Sequence, residues 1–81
     1  MTTVVVEYKH DPPLTDAALA ELVTRLRKCI EVREVTWVHT YLAFDRATMF
    51  AVFEADNAEL VRTAHGMSGT PYARLVPTTP V

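Results

Sequence analysis

The chain has 81 residues, 49 % of them hydrophobic and 22 % charged, with a formal net charge of −2. That length makes one domain, residues 1–81, burying only roughly 60 % of the surface its unfolded form exposes, and the composition excludes a disordered chain. The charge balance excludes nucleic acid as a partner, because the one basic cluster, Arg25, Arg27 and Lys28, reads as the solvated side of a helix.

The opening MTTVVVEY lacks the basic region and long apolar run of a signal peptide, and no stretch reaches the ~20 apolar residues of a membrane span. The expected location is cytoplasmic, with no membrane partner. Thr2 to Tyr8 is β-branched and reads as a first strand ending near Lys9, before two prolines that cannot donate to a ladder. Thr15 is the expected N-cap of a helix with Asp16 in its first turn, and Leu19, Leu22, Val23, Leu26 and Ile30 recur along one face. Cys29, the single cysteine, lies near the end of that helix; it excludes an internal disulfide and reads as a small buried thiol.

Val35 to Ala43 and Thr48 to Ala55 read as the second and third strands, joined by the four-residue loop Phe44–Ala47. Asp56 and Glu59 form a capping-box-like start to a second helix, which Gly66 is expected to close in the left-handed conformation. A last strand spans Tyr72 to Val76, and the PTTP after it is expected to fray. The order βαββαβ is the ferredoxin-like plan, an α+β fold with a four-stranded antiparallel sheet and both helices on one face. In so small a domain the other face must be polar or meet another molecule, which points to a homodimer through that face, built as a dimeric α+β barrel.

The hairpin assigns side chains to faces. Pairing Ala43 with Thr48 sets Tyr41 opposite Phe50, His39 opposite Val52 and Trp37 opposite Glu54, on the uncovered face with Val5 and Glu7. Val4, Val6, Val38, Leu42, Met49, Ala51 and Phe53 fall toward the helices.

The run from Val35 to Arg46, the FAVFEAD of Phe50 to Asp56 and the GTPYARLV of Gly69 to Val76 resemble a family of small bacterial ferredoxin-like proteins that includes a dimeric, nickel-binding actinobacterial member. The resemblance implies a dimer that binds Ni2+ or another divalent metal, with His39 in the second strand and His65 near the end of the second helix matching that type's histidines. Its first-strand histidine is replaced by the run Tyr8, Lys9, His10, and its G-H-P reads Gly69, Thr70, Pro71 here.

From the residues themselves, His10, His39 and His65 are the candidate metal ligands, with Glu7 and Glu54 in support, because nickel and zinc take imidazole and carboxylate donors. Each has a plainer reading. His65 in a last helical turn complements the dipole, His10 beside prolines is a loop residue, and His39 pairs with Glu7 or Tyr41. Glu7 and Glu54 equally read as salt-bridge partners of Arg74 or of a second subunit. The alternative reading is an enzyme of the cyclase, isomerase or cofactor-free monooxygenase type. Glu7, His39 and Tyr41 would then be its acid–base residues, and Trp37, Phe50, Val52 and Glu54 would line a pocket for a small-molecule ligand. No dinucleotide fingerprint, phosphate loop or nucleophile triad occurs, so no organic cofactor is indicated.

Overall fold

The structure, a computed structural model, describes residues 1–81. Alternation along the first strand, β1 (Thr2–Lys9), sorts its side chains: Val4, Val6 and Tyr8 are sealed from solvent while Val5 and Glu7 lie on the opposite face. Then follow α1 (Asp16–Glu31), β2 (Thr36–Leu42), β3 (Thr48–Ala55), α2 (Ala58–Ser68) and β4 (Arg74–Thr78). The strands form one antiparallel sheet in the order β2-β3-β1-β4. This is the ferredoxin-like βαββαβ architecture, with the core between the sheet and its two helices.

Helix α1 starts where expected: the Thr15 side chain accepts from the Ala18 N–H at 3.1 Å, and Leu22, Leu26 and Ile30 are buried on the sheet. The β2–β3 hairpin closes with Ala43 N–H on the Thr48 carbonyl at 2.9 Å, while Arg46 (φ 62°) turns the loop. From there the register runs as the sequence implies, Tyr41 opposite Phe50 and His39 opposite Val52.

Four details depart from the sequence reading. A β-bulge between Trp37 and His39 inserts Val38 as an extra residue, so Trp37 pairs with Phe53 and Thr36 takes the place opposite Glu54. One inserted residue reverses the face of everything before it. Trp37 thus points to the helix side, its ring 5.3 Å from that of Phe53, and Val38 is exposed. Helix α2 is capped by Asn57 in place of Asp56, its side chain accepting from Leu60 N–H at 3.1 Å. The helix runs through Gly66 and ends at Gly69 (φ 67°), whose N–H bonds the Gly66 carbonyl. Finally, β4 lies two residues further on than expected: Pro77 pairs with Val4, and the Thr78 hydroxyl donates to the Thr3 carbonyl at 2.9 Å. β4 is an edge strand, where a missing N–H is tolerated.

Candidate functional site

The face of the sheet away from the helices forms three rows across the strands. Arg74, Glu7, Phe50 and Tyr41 make the first, Val76, Val5, Val52 and His39 the second, and Thr78, Thr3, Glu54 and Thr36 the third. Nothing in the chain covers them, so Tyr41 is 59 % and Phe50 39 % exposed. The face is apolar in its middle and carries both signs of charge around it.

Glu7 is a half-buried charge on this face, its side chain 20 % exposed. Lys9 Nζ lies 3.1 Å from one carboxylate oxygen and Arg74 Nε 3.4 Å from the other. Glu7 is therefore ion-paired, and it makes no hydrogen bond with His39 or Tyr41. The His39 ring packs on that of Tyr41, with centroids 6.0 Å apart, and is otherwise open to solvent with both nitrogens unengaged by protein. Glu54 stands diagonally across the strands from His39, a relation that places backbones about 7–8 Å apart and long side chains within reach. The structure thus brings Glu7, His39, Tyr41, Phe50, Val52 and Glu54 onto one surface. Trp37, expected in the same pocket, lies on the other side of the sheet because of the bulge.

The other two histidines are also on the helix side. His65 is fully buried in α2, with Nδ1 2.8 Å from the Val61 carbonyl and Nε2 2.5 Å from the Tyr8 hydroxyl. The arrangement defines a neutral ring, Nδ1–H donating to the carbonyl and Nε2 accepting from the phenol. Burial lowers the His65 pKa, partly offset by the Val61 carbonyl, and burial pushes the Tyr8 pKa well above its ordinary value. Since the ring is neutral, it does not act on the helix dipole as a cation. Phe53 and Tyr72 meet the same imidazole edge-on at 5.5 and 5.4 Å. His10, half-buried in the loop after β1, stacks on Tyr8 with centroids 6.3 Å apart, its Nε2 sealed and without a hydrogen-bond partner; desolvation lowers its pKa.

Both His10 and His65 therefore pack against Tyr8 while His39 faces out, and no three imidazole, carboxylate or thiol groups of one chain converge so as to hold a metal ion. The part played by Tyr8 was missed from the sequence; its signal was the alternation with Val4 and Val6, which marks it as a buried phenol in need of a partner.

A family model described as nickel-responsive protein, SCO4226-like, matches residues 5–77. The chain belongs to this family. No curated protein matches the sequence. Among solved structures, the crystal structure of SCO4226 from Streptomyces coelicolor A3(2) superposes with a TM-score of 0.84 over 98 % of both chains at 13 % identity. At that identity the likeness establishes that the SCO4226-like chain shares the fold. No helix in it is long and apolar enough to cross a membrane.

Proposed function

We propose that this SCO4226-like protein binds a divalent metal ion such as nickel between two copies of itself, which close their uncovered sheet faces on one another. The observation that carries the reading is the placement of His39: an imidazole with both nitrogens unengaged, next to Glu54, on an exposed apolar face of a chain whose family is described as nickel-responsive. Imidazole and carboxylate are donors that suit nickel. One chain does not complete a site, because its donors do not converge in threes. A second copy would bring another His39, Glu54 and Glu7 to the same face. That face also carries both signs of charge, with Lys9 and Arg74 around Glu7 at one end and Glu54 two rows away, so a two-fold arrangement can set unlike charges against each other.

The acid–base reading of Glu7, His39 and Tyr41 has less support. The Glu7 carboxylate is occupied by two cations, and neither His39 nor Tyr41 is oriented by a hydrogen bond. Calorimetric titration with nickel tests the proposal. The expected result is saturable heat that His39→Ala abolishes and His65→Asn leaves in place. No heat above the buffer control, or heat unchanged in His39→Ala, would remove it.

A further inference from the structure

The helix side of the sheet is not closed everywhere. Between α1 and β2 lies an open crevice of about 580 Å³, within the usual range of small-molecule sites. Leu19 and Val23 of α1 and Trp37 and Leu42 of β2 line it and remain partly exposed, although three of them pack on the core. Trp37 is there only because of the bulge at Val38, and bulges commonly serve to re-aim one side chain. Above its indole lies the Arg27 guanidinium, 5.7 Å from the ring centroid. Arg27 enters none of the ion pairs of the chain and makes no hydrogen bond, so its donors point to the crevice mouth unengaged. Glu31, one turn further along α1, lines the same opening and is likewise unpaired.

We infer that this crevice binds a small apolar monocarboxylate. The aromatic or branched aliphatic body lies on Trp37 between Leu19, Val23 and Leu42, and the carboxylate takes the Arg27 guanidinium, whose planar fork suits it. Glu31 repels a second negative group at the same mouth, which selects one carboxylate over two. His39 and Thr40 border the crevice where it reaches the edge of β2, but Arg27, Trp37 and Val23, which carry this inference and its test, take no part in the metal reading.

Trp37 is the single tryptophan of the chain, so its fluorescence reports on the crevice alone. The probe is 4-phenylbutyrate, with the uncharged 4-phenylbutanamide as its partner. The expected result is a saturable change in Trp37 emission with the acid, weakened about tenfold by Arg27→Ala, an exposed change that leaves the core intact. Amide binding should be unaffected by Arg27→Ala, and Val23→Phe, which fills the crevice, should abolish binding of both probes. No saturable change in the unmodified protein, equal affinity for acid and amide, or binding that persists in Val23→Phe would overturn the inference.

Discussion

The two faces of the sheet are made from the same strands, and often from adjacent residues, yet they end in opposite states. On the helix side Val4, Val6, Tyr8, Met49, Ala51 and Phe53 are wholly removed from water, and the imidazole buried with them, His65, has a partner for each nitrogen. On the other side Phe50, Tyr41 and His39 are left in solvent. With only 17 of 81 residues buried, the helix side carries nearly all the folding energy of a single chain, and the uncovered side contributes little of it. Apolar side chains held by a rigid sheet and unused in the core are the usual material of a subunit interface.

Cutting one large side chain on each face is the strongest way to break this contrast. Phe53→Ala opens a cavity under both helices and should cost about 3–5 kcal/mol in urea denaturation, most of the stability of so small a domain. Phe50→Ala, three residues away on β3 and on the opposite face, should cost the isolated chain less than about 1 kcal/mol. Equal losses would mean that the two faces do not differ as described.

Tyr8→Phe removes one oxygen and leaves His65 Nε2 buried without a donor, so a loss of about 1–3 kcal/mol is expected by the same assay. A neutral result would place the stability of the sealed side elsewhere. The sign of the pH dependence follows from the same ring. The folded pKa of His65 lies below its unfolded value of about 6.5, so the unfolded chain takes up the proton first. Stability is complete above about pH 6.5 and falls as the pH drops below it, by at most about 1.4 kcal/mol per unit for this group, until the depressed folded pKa is reached. His10, also depressed, adds in the same direction. Denaturation midpoints measured from pH 7.5 to 5 should fall in the parent and fall less steeply in His65→Asn; parallel slopes would contradict the assignment.

The smallest effects divide the two glycines of α2, the helix that seals the covered side. Gly69→Ala, at φ 67°, should cost about 1 kcal/mol, whereas Gly66→Ala, in the helix with open space around its Cβ position, should stabilise by about 0.5–1 kcal/mol. Thermal melts that moved both variants the same way would argue against a helix ending at Ser68.

These contrasts also mark how far the sequence could be read. The element order βαββαβ carried the strand order, while alternation in Thr2–Lys9 and the four-residue loop before Thr48 were enough to derive the hairpin register from Tyr41 to Val52 and the membership of each face by Glu7, His39 and Phe50. Trp37 escaped because the bulge at Val38 carries no glycine or other mark in TWVHT, and a period-two count carries one uncounted residue to the wrong face. The end of α2 was misread because two glycines three residues apart both fit a C-cap, and only the hydrogen bonds of Gly69 to the preceding turn decide between them. His65 pairs with Tyr8 across 57 residues, a contact that local periodicity does not encode. The crevice beside Trp37 depends on that same bulge and was equally hidden.

The central claim is that the uncovered face is completed by a second copy. Sedimentation equilibrium at tens of micromolar chain, with and without nickel, tests it directly. The account predicts the mass of two chains, held more tightly when nickel is present; a mass of 9.1 kDa, one chain, under both conditions would contradict it.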